Sequence, residues 1–305
     1  MGDITGAGLL SHAPVIMFPE PARIEANGGS DFTLATGLEQ LRRDVIDTAD
    51  YDTVVVFDSH WATTTEAVIT AHPRRTGLFT SDEMPAAISG LPYDLPGDPE
   101  LAHAVAALAE ERKVWVAAND DPHLPIHYAT LNLWTYLGRG VGRAAGKPWV
   151  SVSVCQTATT EDFLRIGEIV GEAVGGLDRK VLLLASGGLS HRFWPLSELR
   201  NRMAGDPVNI VTAEARAADE QRIAWLEAGR HDRVIRTMPE YLRYAPEGRF
   251  GHYLMLAGAL GGEACGARGR RFGTYENGIG TGQVHLWFDP PAARPPGRCQ
   301  TPLAD

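Results

Sequence analysis

Long apolar runs, paired cysteines and an excess of positive charge are all missing from this sequence. Nothing in its 305 residues approaches the run of ~20 apolar residues that crosses a bilayer. The opening Met1-Gly2-Asp3-Ile4 has neither the basic segment nor the apolar stretch of a secretory signal, so the expectation is a cytoplasmic protein with no membrane partner. Its three cysteines, Cys155, Cys265 and Cys299, lie far apart without a CxxC pair, which excludes a disulfide framework and a thiolate zinc site. Lys and Arg number 28 against 38 Asp and Glu, and the net charge of -10 works against nucleic acid as a partner. The short basic clusters Arg74-Arg75 and Arg268 to Arg271 read as solvated loop charges.

Two catalytic signatures are absent as well. There is no Gly-x-Ser-x-Gly nucleophile elbow. The glycine-rich Gly278-Ile279-Gly280-Thr281-Gly282 lacks the lysine of a phosphate-binding loop and leads into a strand rather than a helix, so it reads as a tight turn.

What is present is a chain that is 44% hydrophobic, enough to fill a core and to argue against disorder outside the ends. Ile4 to Leu10, Thr53 to Phe57, Trp149 to Val154, Val181 to Ala185 and Gln283 to Phe288 read as strands, several of them apolar enough to be buried on both faces. Between them, apolar residues recur at three and four residue spacing over Thr33 to Thr48, Pro99 to Arg112, Thr160 to Val174 and Asn209 to Glu227, which predicts helices. The alternation gives an α/β fold, one domain over residues 1–289 with a central, mostly buried sheet flanked by helices. From Pro290 the chain carries five prolines and little apolar content, so residues 290–305 read as a loose extension.

Three of the strands run directly into a histidine: Leu10 into Ser11-His12-Ala13-Pro14, Phe57 into Asp58-Ser59-His60-Trp61, and Ala185 into Ser186-Gly187-Gly188-Leu189-Ser190-His191. In open α/β sheets the ligand crevice lies beyond the carboxyl ends of the strands, which suits these residues for chemistry. His12 and His60 with Glu240, in Met238-Pro239-Glu240-Tyr241, would give two imidazoles and a carboxylate, a donor set for divalent non-haem iron that leaves sites open. Sequence spacing does not show that the three meet. Taken singly, a strand-end histidine also serves as a hydrogen-bonded turn residue, and an acid after proline as a first-turn helix residue.

The runs Ser11 to Pro14, Val54 to Trp61, Ala185 to Phe193 and Pro239 to Tyr241, in this order and spacing, resemble the class III (LigB-like) extradiol ring-cleaving dioxygenases. Phe79 to Pro85, Gly97 to Leu101 and Gly280 to Val284 resemble the homoprotocatechuate (3,4-dihydroxyphenylacetate) 2,3-dioxygenase branch of that family. The resemblance covers roughly residues 4–289. It implies that His12, His60 and Glu240 ligate Fe(II), or Mn(II) in its place, and that His191 is the acid-base catalyst. It further implies a small aromatic substrate opened with O2 to a muconic semialdehyde-type product, by a chain that forms a homo-oligomer. A catecholic acid leads as substrate, with a gallate derivative or 2-aminophenol as alternatives. A metal-dependent hydrolase and a metal-binding protein without turnover are the rival readings, because the same donors hold catalytic zinc and folds outlive their chemistry.

Five further residues are candidates for lining the pocket or supporting the ligands. His123, His127 and Tyr128 sit where the family places pocket residues, although His127-Tyr128 departs from its usual patterns. Arg192 could hold a substrate carboxylate or form a structural salt bridge. His252 could orient a ligand or lie on a surface helix. His72, His103 and His231 read as solvent-facing, and His285 as a buried, hydrogen-bonded side chain.

Overall fold

The strand Thr53–Thr63 sets the architecture through its alternation. Val55 and Phe57 are buried in one apolar cluster, while Val54 and Val56 are buried in a second cluster on the opposite face. A strand apolar on both faces must be covered by helices on both sides. The computed structural model describes residues 2–140 and 144–289 and has this layered form, so the extension from Pro290 lies outside the described residues.

In chain order the elements are β1 (Asp3–Leu10), α1 (Glu20–Ala26), α2 (Thr33–Leu41), β2 (Thr53–Thr63), β3 (Ala67–Thr70), β4 (Arg74–Phe79), β5 (Leu91–Pro96), α3 (Pro99–Glu111), β6 (Val116–Asn119), α4 (Tyr128–Leu137) and β7 (Trp149–Cys155). They continue as α5 (Thr160–Gly176), β8 (Lys180–Ser186), α6 (Leu196–Leu199), α7 (Ala213–Glu227), α8 (His231–Arg236), α9 (Met238–Tyr241), α10 (Gly251–Ala259), β9 (Gly269–Arg271), β10 (Glu276–Gly278), β11 (Thr281–Gln283) and β12 (Leu286–Phe288). The main sheet has the order β6-β3-β7-β2-β8-β1-β12-β9. Its centre, β7-β2-β8-β1, is parallel, and β12 and β9 add antiparallel strands at one side. The parallel centre brings the carboxyl ends of β1, β2 and β8 to the same edge.

Elements expected from the sequence differ in their ends for local reasons. The helix expected from Thr33 to Thr48 is α-helical only to Leu41, after which Arg42–Ile46 widens into a π-helical turn. The helix expected from Asn209 starts at Ala213, where the Thr212 hydroxyl caps it by accepting from the Ala215 amide at 3.1 Å. The strand expected from Gln283 to Phe288 is two strands. β11 pairs with β10 in a hairpin, and β12 joins the main sheet, with Val284 and His285 between them. Ile279 and Gly280, at φ 54° and 104°, form the tight turn of that hairpin.

The helix α10 is buried along nearly its whole length and has no polar face. It crosses α5 with the backbones almost touching. A Cβ on Gly167 would lie 1.8 Å from the Met255 carbonyl oxygen, and one on Gly258 2.0 Å from that of Leu164.

Candidate active site

His12 follows β1 and is held by its surroundings on every side. Asn132 Nδ2 donates to the His12 carbonyl at 2.8 Å, and Gly187 N donates to the Leu10 carbonyl just upstream. The Ser186 hydroxyl donates to the Ala129 carbonyl, so it accepts from His12 Nδ1–H at 3.0 Å and leaves Nε2 facing a cavity.

The β2 strand does not stop at Phe57. Its register against β7 slips between Asp58 and Ala62, so Ser59, His60 and Trp61 bulge out of the ladder. Asp58 Oδ1 accepts from the amides of His60 and Trp61, at 3.0 and 2.9 Å, and Thr130 Oγ1 donates to its other oxygen at 2.7 Å. The bulge turns His60 into the cavity that His12 lines. Tyr128, at the start of α4, lies against the His60 ring at 4.0 Å between centroids and donates its hydroxyl to Glu83.

Glu240 does not join them. The single turn of α9 buries Met238 and Tyr241, which leaves Pro239 and Glu240 outward and exposed, with the Glu240 charge acting on Arg222. The carboxylate in the site belongs to Glu247, whose Oε1 is 3.2 Å from His12 Nε2 and whose Oε2 is 3.8 Å from His191 Nε2. Ser59 Oγ and the Gly188 amide each donate to Glu247 at 2.6 Å. Backbone bonds from His191 N to the Ala245 carbonyl and from Glu247 N to the Leu189 carbonyl tie the His191 and Glu247 loops together.

Gly248, Arg249 and Phe250 follow Glu247 at φ 52°, 58° and 63°, and Ala245 precedes it at 47°. Left-handed backbone at bulky residues costs about 1–3 kcal/mol each and gathers at functional sites. This cluster is the local signature of Glu247. It then enters α10, which carries His252 beneath the site.

Charge and burial have opposite effects on these groups. Burial would raise the Glu247 carboxyl, but the charges of His12 and His191 outweigh it and hold the group well below the usual carboxylate range. Burial would likewise lower His12, yet Glu247 raises it above its ordinary value. His60 is lowered, by burial and then by the charge of His12. His252 is fully buried, not on a surface helix, and burial pushes it down to about 4. It sits against the same loops: a Cβ on Gly187 would lie 2.6 Å from its Nε2.

The cavity measures about 350 Å³ and is lined by His12, His60, Tyr128, His191 and Glu247 on one wall and by Val15, Phe18, Phe32, Met84 and Met203 elsewhere. Other expected members stand apart from it. His123 is exposed, because Asp121 turns its backbone outward by accepting its amide. His127 stacks on Trp61 at 5.8 Å, behind His60. The exposed Arg192 donates to the Arg243 carbonyl at 2.6 Å. His72 and His231 are buried rather than solvent-facing, held by the carbonyls of Asp121 and Ala267, while His103 is exposed. His285 is buried between the Ser11 amide and the Leu34 carbonyl.

Among the described residues, no three His, Cys, Asp or Glu side chains are already drawn together at coordinating geometry. The donor chemistry nonetheless fits a divalent ion. His12 offers Nε2 with its tautomer set by Ser186, Glu247 is ionised, and His60 lies 6.1 Å from His12 between ring centroids. His12, His60 and Glu247 are the residues that could hold it.

Comparison with known proteins shows the family. The family described as the catalytic LigB subunit of aromatic ring-opening dioxygenase matches residues 6–284. A 3,4-dihydroxyphenylacetate 2,3-dioxygenase of Escherichia coli is 28% identical over 267 residues, covering 86% of this chain and 91% of that protein. The crystal structure of an uncharacterized protein from Escherichia coli K12 superimposes with a TM-score of 0.56 at 14% identity, over 93% of this chain and 99% of that one, and so shares the fold. With the family match spanning nearly every described element, this chain belongs to the LigB family of aromatic ring-opening dioxygenases.

Proposed function

We propose that the protein is a non-haem Fe(II)-dependent extradiol dioxygenase that opens the ring of a catechol, with His12, His60 and Glu247 as the metal's ligands. The observation that carries this reading is the convergence of two imidazoles, an ionised carboxylate and a further histidine on one cavity. Fe(II) bound there, or Mn(II), which accepts the same donors, would supply the one-electron chemistry that lets a spin-paired ring react with O2.

The chain's own residues supply the rest. The apolar walls exclude bulk water and strengthen each electrostatic contact within. His191, half-buried at the cavity edge, is the general acid-base: its Nε2 takes a proton from a ring hydroxyl and returns it to an oxygen retained in the ring-opened product. Glu247 Oε2 lies 3.8 Å from that nitrogen. Tyr128 packs against His60, with ring centroids 4.0 Å apart, and limits its rotation. The product would be a muconic semialdehyde-type compound.

The test is anaerobic reconstitution with Fe(II), followed by oxygen-electrode and absorbance assays on 3,4-dihydroxyphenylacetate, protocatechuate, gallate, unsubstituted catechol and 2-aminophenol. The named relative makes the first of these the reference compound. Oxygen uptake matched by ring-opened product is the expected result. A metal-loaded protein that consumes no O2 with any of them would contradict it and favour hydrolysis or metal binding without turnover.

A further inference from the structure

We infer that the cavity takes a catechol whose ring substituent is uncharged and apolar, in preference to one bearing a carboxylate. The inference rests on the catechol-opening reading and refines its substrate class.

Besides the reactive residues, the lining offers a substituent Val15, Phe18, Phe32, Met84 and Met203, with Phe193 beside His191. Among the described residues that line the cavity there is no Lys or Arg, and the charged carboxylate besides Glu247 is Glu83, which would repel an anion. The exposed Arg192 lies outside the lining and spends a guanidinium N–H on the Arg243 carbonyl.

The amide and hydroxyl groups of the lining are largely consumed by bonds within the protein. Asn277 donates to the carbonyls of Arg202 and Ala204 at 2.9 and 3.0 Å and accepts from Gly280 N at 2.6 Å. Thr281 Oγ1 donates to the Gly278 carbonyl and accepts from Gln283 Nε2, while Gln283 Oε1 accepts from Ser11 Oγ. One Gln283 N–H is left to meet a ligand, far short of what a desolvated carboxylate requires. A volume of about 350 Å³ suits one ring with a short substituent.

The deciding experiment compares 4-ethylcatechol with 3,4-dihydroxyphenylacetate, two compounds of similar size that differ in charge, on the Fe(II)-loaded full chain. It reads kcat/KM aerobically and the dissociation constant anaerobically, by tryptophan fluorescence. We expect 4-ethylcatechol to lead by about tenfold or more in both, and Met203→Lys to narrow the ratio by about tenfold by giving the carboxylate a partner. Equal or better use of 3,4-dihydroxyphenylacetate by the unaltered protein overturns the inference while leaving ring cleavage intact. Absence of O2 uptake with both overturns the ring-cleavage reading, and the binding ratio still decides the preference of the cavity.

Discussion

His12 Nε2 lies 3.2 Å from Glu247 Oε1, although the two residues are far apart in the sequence. Burial by itself would lower His12, but the Glu247 carboxylate raises it above its ordinary value of 6.5. A metal ion must displace the proton that this pair shares. Because the raised value keeps His12 protonated to higher pH, metal affinity should fall as pH drops through it, beginning above the ordinary histidine range. Anaerobic titrations with Mn(II) at about pH 8 and about pH 6 should show much weaker binding at the lower value. Equal affinity at both would mean that His12 is not a ligand.

Replacing His191 separates proton transfer from metal binding. His191→Ala should retain stoichiometric metal while the rate falls by about 10²–10⁴, the usual contribution of a positioned acid-base group. Metal analysis beside turnover checks this, and a rate within a few-fold of normal would remove His191 from the mechanism.

Gly187 is placed where no side chain fits. An added Cβ would meet Ser59 Oγ at 2.5 Å and His252 Nε2 at 2.6 Å, disturbing the hydroxyl that donates to Glu247. Gly187→Ala should weaken metal binding by about tenfold or more, as loss of ligand support does. Gly175→Ala, in α5 with nothing within 4 Å of the new Cβ, should leave binding and melting temperature near normal or slightly raised.

Asp219 joins the His191 loop to the rest of the fold. It accepts from Ser190 Oγ, Tyr241 OH and Tyr275 OH at 2.6–2.7 Å, and from the Ser190 amide. Burial raises its carboxyl from 3.8 to about 6 despite these donors. The folded state therefore binds this proton more tightly than the unfolded chain does, and the group's contribution to stability declines as pH rises from 3.8 to about 6. Denaturation curves across that window should show the decline, and Asp219→Asn should flatten it. At neutral pH, Asp219→Ala should be destabilising by about 2–5 kcal/mol, because it strands several buried donors.

Much of this site was legible in the sequence because strands betray their own ends. Apolar runs into Ser-His, Asp-Ser-His and Ser-Gly-Gly place His12, His60 and His191 at the edge where parallel strands finish. The structure brings Glu247 rather than Glu240 to His12, and the sequence alone does not separate them, because Pro239-Glu240-Tyr241 and Pro246-Glu247-Gly248 are equally good local candidates and side-chain direction decides between them. That direction comes from consecutive left-handed residues after Glu247, which leave no periodicity to read. A usable signal lay beside it. Phe250 to Leu260 is apolar all round apart from His252, so that helix had to be buried and its histidine could not face water. The bulge at Ser59 to Trp61 was hidden for a different reason, since it depends on Asp58 capping its own backbone against a partner strand distant in sequence.

The most direct test of the account is Fe(II) binding to Glu247→Gln and Glu240→Gln, measured side by side with the unaltered protein by anaerobic titration and metal analysis. Glu247→Gln should lose metal retention and turnover together, each by about a hundredfold or more, whereas Glu240→Gln should match the unaltered protein in both. Loss of metal in Glu240→Gln with retention in Glu247→Gln would contradict the assignment of the site.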